Sequence, residues 1–137
     1  MIYVKTLTIP MFPIKVNVII TDTIKEAVKK YPHLLENFNE VPIEEYEKSF
    51  LAYTVKDSIV KSKSVNYKCV HVLFRPKDEE LTVGILAHEA VHTAHSIFEY
   101  ISYDVQSDND EIMAYLVGWL TDSFLTIIND SPSDRSL

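Results

Sequence analysis

The sequence predicts an α+β domain, because Val- and Ile-rich alternating segments fill its first half and two long helical periodicities fill its second. Residues Ile14 to Ile20 alternate and are β-branched, which predicts a strand leading to Thr21 and Asp22 as helix caps. Ile24, Ala27 and Val28 then keep helical spacing, and Lys29, Lys30 and Pro32 mark the end of that helix. His33 to Phe38 reads as a further short helical turn.

Ser49 to Lys56 and Val65 to Arg75 both read as strands, and a Lys/Ser-rich connection makes them an antiparallel pair. Val70, Val72 and Phe74 lie on one face of the second, with Tyr67, Cys69 and Leu73 on the other. Apolar residues on both faces predict a strand inside the sheet.

The first long helix is expected to start with Asp78, Glu79 and Glu80, whose charges suit a helix N-terminus, and to reach about Tyr103. Ser107 or Asp108 is expected to cap the second, which runs to about Ile128. The expectation is a compact domain over residues 1–130 and a polar tail over 131–137. Its sheet is small and mostly antiparallel, with one helix, followed by two long antiparallel helices.

The chain has 137 residues, of which 47% are hydrophobic and 24% charged, as in an ordinary soluble globule. Its two glycines, Gly84 and Gly118, both fall in helical patterns, which excludes glycine-rich phosphate loops. A formal net charge of −7 disfavours nucleic acid as a partner. Lys56, Lys61, Lys63 and Lys68 form a local exception, read as a solvated hairpin tip. Cys69 is the only cysteine, so neither an internal disulfide nor a cysteine-based zinc site is expected. The N-terminal residues do not read as a signal peptide and no apolar run reads as a membrane span, so the expected location is cytoplasmic.

His88 and His92 are four residues apart. On a helix both imidazoles face one side, separated by a rise of about 6 Å, and both can reach one ion. Glu89 sits roughly 100° around the helix, beside that ion, where it can take a proton from water. Val83, Leu86, Ala87, Ala90, Ala94, Ile97 and Ile101 gather on an apolar side that is expected to face the core. His88, His92, His95 and Glu99 form a separate stripe, so these histidines line something other than the core.

A catalytic zinc usually takes three protein ligands and water. Glu111 lies nineteen positions after His92, at the start of the second long helix. A chain turning back through Asp104 to Asp110 would carry it past the histidine stripe, with Ala114 and Gly118 small enough to let the helices approach closely. The competing reading makes Glu111 the partner of Asp108 in a capping box. Asp104, Asp108 and Asp110 are rival ligands.

The pattern His88-Glu89-x-x-His92 followed by Glu111-x-x-Ala114-Tyr115 resembles the gluzincin branch of the zincins, over about Leu81 to Phe124. In that branch a glutamate on the next helix is the third ligand. The chain also resembles small zincin-like proteins encoded by bacteriophages, which would place it in a host cytoplasm. His95 and Phe98 stand where metzincins carry glycine and a third histidine, so that branch is excluded. Tyr115 stands where thermolysin-like enzymes carry an aspartate. No second, substrate-clasping domain is expected, which counts against efficient proteolysis of large proteins.

The resemblance implies a Zn2+ site of His88, His92 and Glu111, with Glu89 as general base in hydrolysis of a peptide or related amide bond. An extended peptide or protein substrate would pair with an exposed strand edge such as Ser49 to Lys56. The alternative is a zincin fold kept as a binding or inhibitor module, with a non-catalytic metal site. His95 is expected to line the cleft or sit on the surface, and Tyr103 and Tyr115 to donate to an oxyanion or simply pack. Trp119 and Phe124 are expected to be core or helix-packing residues, and His33 and His71 lie outside the motif.

Overall fold

The computed structural model describes residues 2–10, 12–61, 66–76, 80–108 and 110–132, with backbone alone for 56–61 and 66–68. Strand β1 (Ile2–Thr8) leads to β2 (Lys15–Thr21), helix α1 (Ile24–Lys30), a 3-10 segment (Pro32–Phe38) and helix α2 (Ile43–Glu47). Strands β3 (Ala52–Lys61) and β4 (Asn66–Phe74) follow, then helices α3 (Val83–Tyr100) and α4 (Glu111–Asp130). The α+β class is therefore as expected. The sheet has the order β1-β2-β4-β3. Its outer pairs are antiparallel, β2 and β4 run parallel, and β4 is interior.

Strand alternation divides the apolar residues between two faces. Val16, Val18, Ile20, Val70, Val72 and Phe74 pack with Leu86, Ala90, Ala94 and Ile97 of α3 and Leu116, Leu120 and Phe124 of α4. Ile19, Val55 and Leu73 look the other way, onto Ile24, Ala27, Leu34, Phe38 and Phe50. The sheet is thus sandwiched between the two long helices and the short ones.

Several boundaries differ from the sequence expectation for identifiable reasons. Thr23 caps α1, its side chain accepting from Glu26 N, and the Glu47 carboxylate of α2 accepts from Ile24 N. Thr21 and Asp22 therefore precede the cap; Thr21 Oγ1 donates to Thr23 O at 2.9 Å and bonds Glu26 Oε2 at 3.3 Å. Thr82 caps α3 through Ile85 N at 3.3 Å, so Glu80 stands outside the helix, and Asp78 and Glu79 lie outside the described residues. α4 starts at Glu111 with Asp110 as its cap residue, and no side-chain cap hydrogen bond forms there. Neither Ser107 nor Asp108 is the cap, and Glu111 is not held in a capping box.

The tail expected from residue 131 begins with a packed residue. Ser131 is buried, its N–H reaching Ile127 O at 3.0 Å and its hydroxyl Ile128 O at 2.7 Å. Residues 133–137, and the lysine side chains at 56, 61, 63 and 68, lie outside the description. Among the described residues α4 is the one helix long and apolar enough, with hydropathy 1.3, to cross a membrane by length and composition. That corrects the reading that no apolar run approaches such a length. Its Leu116, Leu120 and Phe124 face the protein core.

α3 ends in a left-handed turn made without glycine. Ser102 has φ 57°, Ser102 N donates to Glu99 O at 3.2 Å, and Tyr103 N to Phe98 O at 2.9 Å. The Phe98 and Tyr103 rings close over these bonds, with centroids 5.1 Å apart. This is a Schellman ending, and a serine at its left-handed position carries strain that glycine lacks. Ser102→Gly is therefore expected to stabilise the protein by about 1 kcal/mol, raising Tm by roughly 3–5 °C in a thermal melt. An unchanged or lowered Tm would count against this ending.

Candidate metal centre

The α3 sequence puts its small residues inward and its histidines outward. Ala90 and Ala94 are fully buried beneath the sheet, which lets the helix axis lie close to it. Val83, the first residue of α3, is the exception to the expected apolar side, at 58% exposure. His88, His92, His95 and Glu99 are all exposed, so the polar stripe lies away from the core as its spacing predicts.

His88 and His92 meet. Their Nε2 atoms are 3.2 Å apart and their ring centroids 4.8 Å, at an interplanar angle of 73°. Two nitrogens bound tetrahedrally to one zinc at about 2.0–2.1 Å would stand about 3.3 Å apart. The exposed pair thus has the span of two ligands sharing one ion, and the chemistry of imidazole suits zinc.

Glu89 takes a different environment one residue along. It is buried, and Thr54 Oγ1 of β3 donates to its Oε1 at 2.9 Å. Its Oε2 faces the histidines, 3.8 Å from His88 Nε2. Thr93 Oγ1 donates to the Glu89 carbonyl at 2.8 Å, tying the same turn from the helix side. One carboxylate oxygen is therefore anchored and the other is directed to the mouth of the histidine pair. β3 supplies this anchor as an edge strand, and its register shifts between Val55 and Ser58. A bulge there re-aims the strand beside the candidate centre.

Glu111 is not drawn up to the pair: among the described residues no group of three His, Cys, Asp or Glu side chains converges. The helix register accounts for this. Phe12 packs edge-on against Phe98 and also lines a groove with Ile112, Tyr115 and Leu116, which sets the first turn of α4 near Phe98. Phe98 lies six residues beyond His92, a rise of about 9 Å. Glu111 is exposed there, as are Asp104, Asp108 and Asp110, and Asp104 Oδ2 accepts from Gln106 at 3.1 Å.

Two expectations about α4 are corrected. Ala114 and Gly118 do not mediate close helix contact: both are exposed, and a Cβ on Gly118 would meet nothing within 4 Å. Trp119 is 38% exposed rather than core, whereas Phe124 is fully buried against Phe74. Tyr115 is 75% exposed, and Tyr103 is half-buried on Phe98. Ile112, Tyr115 and Trp119 instead border a groove of about 410 Å³ with Ile9, Pro10, Phe12 and Leu116.

A second polar cluster lies on the opposite face of the sheet. Strand register aligns Thr6, Asn17 and His71 in one row across β1, β2 and β4. Thr6 Oγ1 donates to Asn17 Oδ1 at 2.7 Å, Asn17 Nδ2 lies 3.3 Å from His71 Nδ1, and His71 Nε2 lies 3.2 Å from His33 Nε2. Burial, and then the neighbouring His33, push His71 down to about 4, so its imidazole is neutral at physiological pH. Nothing in the spacing of these residues announces the row; only strand register assembles it. Burial also pushes the Cys69 thiol up to about 12, leaving it protonated and poorly nucleophilic.

No protein-family model, curated protein or solved structure matches the chain.

Proposed function

We propose that the chain is a small zinc-dependent hydrolase of peptide or related amide bonds, with a gluzincin-like centre. The observation that carries this reading is the pairing of two converging, solvent-facing imidazoles with a buried carboxylate whose inner oxygen is anchored by Thr54. His88 and His92 would hold the ion. Glu111 is the proposed third ligand, as the resemblance implies; its exposure and its freedom from a capping box leave its carboxylate available for that role.

Zinc at such a centre polarises a carbonyl and lowers the pKa of water towards about 7. Glu89 Oε2 accepts a proton from the attacking water and passes it to the leaving amine, while the Thr54 hydrogen bond keeps the carboxylate aimed. An extended peptide would lie along the edge of β3, which borders the same side of α3. A second reading, a binding module on the same fold, is favoured by the exposed apolar groove along α4.

Protein reconstituted with zinc should bind one equivalent at this centre, and His92→Ala should remove it, as measured by metal analysis after desalting. Wild-type protein without zinc would end the proposal. Glu111→Gln should weaken zinc binding at least about tenfold, taking even the lower bound seen for groups that only orient a ligand. Unchanged affinity would remove Glu111 from the ligand set while leaving the histidine pair.

A further inference from the structure

Away from the His88–His92 centre, a second pair of imidazoles meets nitrogen to nitrogen. His33 of the 3-10 segment and His71 of β4 bring their Nε2 atoms to 3.2 Å, with ring centroids 5.1 Å apart. In a collinear N–H···N bond the centroids would stand apart by the nitrogen separation plus about 2.3 Å of ring. Here the excess is 1.9 Å, so the ring axes are not collinear, and the ring planes stand 52° apart. The nitrogen separation itself is close to the roughly 3.3 Å at which two imidazole nitrogens stand on one tetrahedral ion.

We propose that His33 and His71 form a second metal site, a two-imidazole seat for a divalent transition ion of the Cu(II), Ni(II) and Zn(II) group. The surroundings support it. His71 is fully buried and its ring is held from behind by Asn17, itself held by Thr6. A ligand histidine must carry its proton on the nitrogen facing away from the metal and donate it to an acceptor. Turning the Asn17 amide over presents Oδ1 to His71 Nδ1, and the Thr6 hydroxyl, which both donates and accepts, then receives Asn17 Nδ2. The row across the sheet therefore satisfies both the metal-free and the metal-bound tautomer.

His33 is exposed, which gives an ion a direct approach from solvent. Among the described residues no third His, Cys, Asp or Glu joins the pair, so water fills the remaining positions and the ion is exchangeable. Imidazole donors without a rigid full cage follow the general affinity order, in which Cu(II) binds tightest.

The test titrates Cu(II) into metal-free protein carrying His88→Ala and His92→Ala, which removes the other pair. One equivalent should bind with the paramagnetic resonance signature of two imidazole nitrogens. Adding His33→Ala should abolish that signature and weaken binding at least about 100-fold. A double variant without the two-nitrogen signal, or a signal that survives His33→Ala, overturns the site. Both arms lack His88 and His92, so the outcome is independent of the hydrolase reading.

Discussion

Glu89→Gln is expected to abolish nearly all hydrolysis by the zinc-loaded protein while leaving its fold and metal intact. Loss of a general base typically costs on the order of 10²- to 10⁴-fold in rate. The structure makes this a clean substitution. Gln keeps the oxygen that accepts the Thr54 hydroxyl at 2.9 Å, and its amide nitrogen takes the place of Oε2, 3.8 Å from His88 Nε2. Nothing that anchors the side chain is lost, and a buried carboxylate is exchanged for a neutral group, so Tm should not fall. His88 and His92 are untouched, so zinc content should stay at the wild-type value. The assay is cleavage of a quenched-fluorescence peptide library by wild-type and variant protein at equal zinc loading. Equal cleavage by both would show that Glu89 is not the base. A biological activity that persists at full strength in the variant would favour the binding module.

The parts of this centre that could be read from sequence are those fixed within one helix. His88, Glu89 and His92 are local, and the 3.6-residue period alone puts the imidazoles together on the solvent side. The Thr54 anchor was hidden, because it depends on which edge of the sheet α3 crosses. The strands β2 and β4 were legible from Val and Ile alternation, and β4 reads as interior because both its faces are apolar. β1 is not legible in the same way: it is an edge strand whose residues Lys5 and Thr6 are exposed, so its burial pattern is weak. α2 has five residues, too few to show any period. The capping errors share one cause, since Thr21, Asp22, Ser107 and Asp108 are all competent caps and only the chain path selects among neighbouring candidates. The exit from α3 was unreadable because Ser102, not glycine, takes the left-handed position.

Phe124 and Trp119 looked equivalent in sequence, and their substitutions are expected to separate sharply. Phe124 is fully buried, and its ring meets Phe74 edge-to-face at 5.2 Å in the layer between α4 and the sheet. Phe74 is itself fully buried on the interior strand β4, where close packing limits how far it can shift to fill a gap. Phe124→Ala therefore deletes burial and leaves a cavity, at a cost of about 3–5 kcal/mol. Small domains have about 5–15 kcal/mol of total stability, so the variant should lose a large share of it. Trp119 is 38% exposed at the rim of the apolar groove, where water or neighbouring side chains can take up the vacated space. Trp119→Ala should cost much less, about 1 kcal/mol. Urea unfolding of the two variants, with similar m-values, measures the difference directly. Comparable losses would mean that α4 turns a different face to the sheet.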